Sequence, residues 1–260
     1  MTFRRTKIVA TLGPASDRPG VLAKLLAAGV NVVRLNFSHG GADDHRRRAA
    51  EVRTEAARLG QTVAILADLQ GPKIRIARFA SGPITLVSEA DFVLDAALSP
   101  DAGTSERGGL DYTDLPRDCV PGDLLLLDDG RVTLQVTEVV GSAVHTHVIQ
   151  GGRLSNNKGI NKLGGGLSAP ALTEKDYRDM DVVAEIRADY VAISFPREAA
   201  DMDLAREALK VRGSNAFLVA KIERAEAVAS EAVLDALISA SDAVMVARGD
   251  LGVEIGDDHL

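Results

Sequence analysis

A single cysteine, Cys119, is present in the whole chain, so no intrachain disulfide and no cysteine-rich metal centre can form. That scarcity fits a reducing cytosol, and nothing around Cys119 supports a nucleophile. Basic residues are also in deficit: 30 Lys and Arg stand against 37 Asp and Glu, a formal net charge of -7. A nucleic-acid surface normally shows a basic excess and is argued against, so any anionic ligand has to be met by local cations. Long apolar runs are missing too. The short one after Arg4-Arg5-Thr6-Lys7 is too brief for a signal peptide or a membrane span and reads as a strand. Low-complexity tracts and exact repeats are likewise absent. These absences lead us to expect a soluble, cytoplasmic protein with neither a nucleic acid nor a membrane as partner.

What is present is a βα rhythm. Strands read over 7–12, 31–37 and 63–69 alternate with helices over 19–28 and 43–59, and Gly29 and Gly60 stand where left-handed caps belong. After Gly71-Pro72 the texture changes. Residues 73–79, 84–94, 124–127, 131–139 and 143–149 read as short strands with no helix between them. Pro121-Gly122-Asp123 and Asp128-Asp129-Gly130 are turn signals of the hairpin kind, so this stretch reads as a small all-β insertion. From Leu172 the first rhythm returns. Thr173 is placed to cap a helix to 187, followed by strand 190–195, helix 197–211, strand 216–222, helix 225–240 and strand 243–247. A chain of 260 residues is the usual size of a (β/α)8 barrel, yet only six parallel strands are found. The expected fold is therefore α/β: an incomplete (β/α)8 TIM-type barrel from 1–72 and 158–260, with 73–157 as the inserted β domain.

Charged residues collect at the carboxyl ends of these strands, where a parallel α/β protein places its chemistry. In Val219-Ala220-Lys221-Ile222-Glu223-Arg224 the alternation turns Lys221 and Glu223 to one side. Asp250, in Arg248-Gly249-Asp250, stands at the end of the next strand, so Glu223 and Asp250 could share one hard divalent metal, with Lys221 beside it to neutralise a phosphoryl group. Two surface ion pairs are the plainer alternative. In Arg34-Leu35-Asn36-Phe37-Ser38, Arg34, Asn36 and Ser38 face one way, with Val33, Leu35 and Phe37 opposite, which offers a guanidinium and two neutral oxygen groups. A half-exposed antiparallel strand would show the same pattern. His39 reads as a turn residue. Asp68, at the end of the third strand, is placed to meet Asn36 and Ser38, or simply to cap the Gly71-Pro72 turn, after which come Lys73 and Arg75. Gly164-Gly165-Gly166 lacks the flanks of a phosphate loop and reads as a connector.

Taken together, several motifs resemble the pyruvate kinase family: Arg5 to Pro14, Arg34 to Gly40, Asp68 to Arg75, Asn156 to Asn161, Leu167 to Asp176, Lys221 to Arg224 and Ala247 to Glu254, in family order over nearly the whole chain. The resemblance implies transfer of the phosphoryl group of phosphoenolpyruvate to ADP, giving pyruvate and ATP in glycolysis, with the β insertion acting as a lid. It implies catalytic roles for Lys221 and Arg34, with Gly249 and Asp250 joining them in substrate binding. It also implies Mg2+ (or Mn2+) on Glu223 and Asp250, and nucleotide phosphates on Arg75 and Lys158. Asn36, Ser38, Asp68 and the Leu69 position correspond to a monovalent-cation pocket. Leu69, Gln70 and Lys73 resemble the branch that works without K+, Lys73 supplying the charge, so K+ is expected not to be required. Full-length relatives are homo-oligomers. The chain stops before the threonine loop and eighth strand of the family, so a truncated remnant that binds ligands without turnover is the competing expectation.

Overall fold

The structure, a computed structural model, describes residues 5–260; Arg4 of the basic N-terminal run lies outside the described residues. In chain order β1 (Val9–Leu12), α1 (Val21–Ala27), β2 (Val32–Asn36), α2 (Ala42–Arg58) and β3 (Ala64–Asp68) come first. There follow β4 (Ile84–Leu86), β5 (Asp91–Asp95), β6 (Arg107–Gly109), α3 (Leu115–Asp118), β7 (Leu124–Leu127), β8 (Val132–Val140), β9 (Ala143–Gln150), β10 (Gly152–Leu154) and β11 (Ile160–Lys162). The chain then runs through α4 (Glu174–Glu185), β12 (Tyr190–Ile193), α5 (Ala199–Lys210), β13 (Phe217–Ile222), α6 (Glu231–Ser239), β14 (Ala243–Val246) and α7 (Arg248–Ile255).

Two compact units result. One comprises Met1–Gly71, Ala171–Lys221 and Ala232–Met245; the other comprises Pro72–Pro170, Ile222–Glu231 and Val246–Leu260. This differs from a boundary at 157/158 because Ile160–Lys162 pairs antiparallel with Leu124–Leu127, and because Gly164 N–H donates to the Glu254 carbonyl at 2.9 Å.

The first unit is built on a six-stranded sheet in the order β1-β2-β3-β12-β13-β14, with parallel pairing along β1-β2-β3-β12-β13. Consecutive strands as neighbours, each reached through a helix, are what repeated right-handed βα connections produce. The strands alternate as expected. Val33, Leu35, Ile65, Ala67, Val191, Ile193, Leu218 and Ala220 are buried, while Leu66, Ala192 and Val219 form a smaller apolar cluster with Val32, Tyr190 and Met245. Gly29 and Gly60 end their helices at φ 98 and 62, as the left-handed caps require. Thr173 caps α4 reciprocally: its hydroxyl accepts from Asp176 N–H at 3.2 Å, and the Asp176 carboxylate accepts from Thr173 N–H at 2.8 Å.

The second unit holds a six-stranded, mostly antiparallel sheet in the order β11-β7-β8-β9-β5-β6 and a two-stranded pair β10-β4. Phe92, Leu94, Leu125, Leu127, Val132, Leu134, Val144 and Val148 fill its core. The Asp128-Asp129-Gly130 turn joins β7 to β8 with all three residues at positive φ, as a tight hairpin demands. Other expectations are corrected. No strand forms over 73–79, because Arg75, Ile76 and Phe79 each bridge to a different partner, Gly159, Leu110 and Gly103, and no ladder can propagate. The run 84–94 breaks in two: β4 pairs with β10 and β5 with β9, with Glu89 at φ 68 in the turn between. The helix expected over 225–240 is interrupted: a 3-10 turn at Glu226–Val228 comes first, and α6 starts only at Glu231. The short helix α3 also lies in a region read as all strand.

Candidate active-site residues

In the first unit the strand ends bring polar groups onto one face. Register pairs Thr11 with Arg34, Asn36 with Asp68, and Asp68 with Ala192, so these residues stand in rows on the same side of the sheet. Asp68, 1% exposed, is the centre of this group. Arg34 donates to its Oδ2 through Nε at 2.5 Å, with Nη2 also 2.5 Å from that oxygen, and Lys221 Nζ lies 3.4 Å from Oδ1. Lys221 also donates to Ser194 Oγ at 2.9 Å, and Ser194 in turn donates to the Leu69 carbonyl at 2.7 Å. A buried carboxylate thus faces both cations, holding Arg34 by a charge-assisted hydrogen bond and Lys221 by an ion pair. Asp68 was expected to meet Asn36 and Ser38. Its carboxylate meets the two cations and, at 3.4 Å, the Ser194 hydroxyl instead, while Asn36 Oδ1 accepts from Ser38 N–H at 3.0 Å. Leu69 contributes backbone only, its side chain being buried. His39 is exposed in a turn, as read.

Phe37, at the end of β2, is fixed on three sides. Its N–H donates to the Asp68 carbonyl at 2.9 Å, its carbonyl accepts from Lys175 Nζ at 2.7 Å, and its ring stacks on His45 with centroids 4.0 Å apart. Arg34, Asn36 and Ser38 therefore hang from a rigid strand end.

The second unit carries the remaining candidates. Asp250 lies in the first turn of α7 rather than on a strand, and Lys73 Nζ donates to its Oδ1 at 3.0 Å. Gly249 is in the same turn, where helical N–H groups lack an intrahelical acceptor. Glu223, one residue past β13, is 1% exposed. Among the described residues no group of three or more His, Cys, Asp and Glu is arranged to hold a metal. Two carboxylates still fit Mg2+, which takes hard oxygen donors, uses one or two from the protein and completes its shell with water and substrate phosphate. Arg75 and Lys158 are neighbours across the Arg75–Gly159 bridge. Arg75 Nη1 donates to the Asn157 carbonyl at 3.0 Å, and Lys158 Nζ pairs with Asp128 at 2.7 Å.

The contacts of four further residues near these candidates are not evident in the sequence, although Asn161 and Glu254 close two of the motifs named above. Ser194 and Asp128 were visible only as a strand-end hydroxyl and a turn residue. Glu254 and Asn161 interact with each other over 93 positions, Asn161 Nδ2 donating to Oε1 at 3.2 Å, and no local pattern announces such a pair. Burial raises the Glu254 carboxyl above its usual range. The Gly164-Gly165-Gly166 connector, all at positive φ, holds an internal anion: Gly166 N–H donates to Glu226 at 2.6 Å. Cys119 is buried, its thiol pushed up to about 11 by burial, which leaves it un-ionised near neutrality.

Comparison with known proteins adds independent information. The family described as pyruvate kinase, barrel domain, matches residues 3–260. A pyruvate kinase of Haemophilus influenzae is 60% identical over 258 residues, covering 99% of this chain and 54% of that protein. Pyruvate kinase II of Salmonella typhimurium gives the same identity and coverage, and a pyruvate kinase of Corynebacterium glutamicum is 44% identical over 252 residues, 97% of this chain and 52% of its own length. The chain thus spans about half the length of the curated relatives it matches. With a family match over nearly every residue and relatives at 60% identity, the chain belongs to the pyruvate kinase family.

Proposed function

We propose that this chain serves Mg2+-dependent phosphoryl transfer from phosphoenolpyruvate to ADP, yielding pyruvate and ATP in glycolysis. The observation that carries the reading is the Arg34–Asp68–Lys221 group, in which one buried carboxylate holds two cations at strand ends. Lys221 neutralises the transferring phosphoryl group, Arg34 binds the substrate phosphate, and the backbone at Gly249 with Asp250 binds the substrate carboxylate. Glu223 and Asp250 hold Mg2+ (or Mn2+), which when bound offsets charge on phosphate oxygens. Arg75 and Lys158 bind nucleotide phosphates. The protein's part is positioning and charge neutralisation, which supply most of the barrier reduction in this class of reaction.

The same reading takes the parallel sheet as part of a (β/α)8 TIM-type barrel and 73–157 as an inserted β lid, in a cytoplasmic protein that assembles as a homo-oligomer. In support, no helix among the described residues is long and apolar enough to cross a membrane. K+ is not required in this scheme. Asn36, Ser38, Asp68 and Leu69 take the place of a monovalent-cation pocket, and Lys73, tethered 3.0 Å from Asp250, supplies a permanent cation. An assay of phosphoenolpyruvate-dependent ATP formation with KCl replaced by a tetraalkylammonium salt tests both levels. Turnover that persists without K+, and becomes K+-dependent in Lys73→Glu, is expected. Absence of turnover under any cation contradicts the activity, and a large loss on removing K+ contradicts the role of Lys73.

A further inference from the structure

Glu254 is 2% exposed and sits four residues after Asp250 on the single helix α7, hence on the same helical face. A buried carboxylate is costly unless its oxygens are satisfied, and both of these are. Oε2 accepts from Ala225 N–H at 2.9 Å, two residues after Glu223. Oε1 accepts from Asn161 Nδ2 at 3.2 Å, on β11. The backbone of the same residue is tied as well, its carbonyl accepting from Gly164 N–H at 2.9 Å. Three segments are therefore joined through one side chain and one carbonyl: the helix carrying Asp250, the segment carrying Glu223, and the β11 strand with its Gly164 turn. All lie within the second unit.

We infer that Glu254 is a positioning residue for the Glu223 and Asp250 carboxylates, setting the spacing at which the two can share a divalent cation without itself touching the ion. The inference rests on the metal reading above and deepens it. Groups that orient metal ligands from behind commonly change affinity by about 10- to 100-fold when removed. Glu254→Ala deletes both bonds. Glu254→Gln keeps an acceptor for Ala225 N–H and can donate to Asn161 Oδ1 once that amide turns over, so it retains the link without the charge.

The test is Mn2+ binding to the full chain, followed by the paramagnetic resonance signal of free Mn2+, with no substrate present. Alongside it, hydrogen exchange reports protection of the Ala225 amide. Glu254→Ala is expected to weaken Mn2+ binding by about tenfold or more and to lose Ala225 protection. Glu254→Gln should stay within about threefold of the parent and keep that protection, since its hydrogen bonds persist. Should Glu254→Ala fail to fold, Asn161→Ala removes one arm only, and a measurable weakening is still expected. Parent-like Mn2+ affinity in a folded Glu254→Ala or in Asn161→Ala overturns the inference, as does equal weakening in Glu254→Gln and Glu254→Ala. Asp250→Asn separates the two levels. If the parent binds Mn2+ and Asp250→Asn weakens it while Glu254→Ala does not, the positioning role alone is wrong; if Asp250→Asn has no effect, the metal reading fails and this inference with it.

Discussion

His45 is a side chain whose ionisation the fold opposes. It is 2% exposed, both ring nitrogens are buried without a hydrogen-bond partner, and the ring lies against Phe37. Burial, with the nearby Arg48 charge adding to it, holds its pKa below the ordinary histidine value. Between the folded and unfolded values the unfolded chain binds more protons, so stability falls as pH drops below about 6.5 and levels off beneath the folded pKa. His45→Phe keeps the stack and removes the titration. Urea midpoints from pH 7 to pH 5 should therefore decline less in His45→Phe than in the parent, and parallel declines would contradict this account. The facing of Arg34 and Asn36 was legible in the sequence because a strand fixes which way each side chain points. Asp68 was legible as an acid but not in its partners: pairing with Arg34 and Lys221 depends on strand register, which one strand's sequence does not encode.

At the scale of elements, the turn after β3 shows how little freedom the strand ends retain. Gly71 has φ 65, and a Cβ there would lie 2.7 Å from both the Cβ and the carbonyl oxygen of Ser194. Its N–H donates to the Asp176 carboxylate at 3.0 Å, the same carboxylate that caps α4. Gly71→Ala meets a left-handed conformation and a backbone atom that cannot yield, so a loss of at least about 2 kcal/mol is expected in denaturant unfolding. A loss below about 0.5 kcal/mol, the scale of an ordinary surface change, would show that the turn is slack. The long βα units and the Asp128-Asp129-Gly130 hairpin were readable because their signals are local: period, cap and turn. The strands β6, β10 and β11, three residues each, were not. Such pieces become strands only because a distant partner, Leu124–Leu127 for β11 or Ile84–Leu86 for β10, presents an edge. The same cause hid the Glu254 link.

For the whole molecule, an acidic chain of net charge -7 is proposed to handle anionic substrates through a few local cations. Arg34 and Lys221 are paired with Asp68, Lys158 with Asp128, and Lys73 with Asp250, so these cations are held in place before any phosphate arrives. Such pre-set charges need little rearrangement when an anion binds, which is how electrostatic preorganisation lowers a barrier. Glu223 and Asp250 are the carboxylates proposed to hold the metal, and Gln at 223 is nearly isosteric while lacking the charge. The most direct measurement is therefore a calorimetric titration of Mg2+ into the chain with phosphoenolpyruvate present, for the parent and for Glu223→Gln. Saturable Mg2+ binding is expected in the parent, with affinity weakened by about tenfold or more in a Glu223→Gln protein that unfolds as cooperatively as the parent. Unchanged Mg2+ affinity in Glu223→Gln would contradict that assignment.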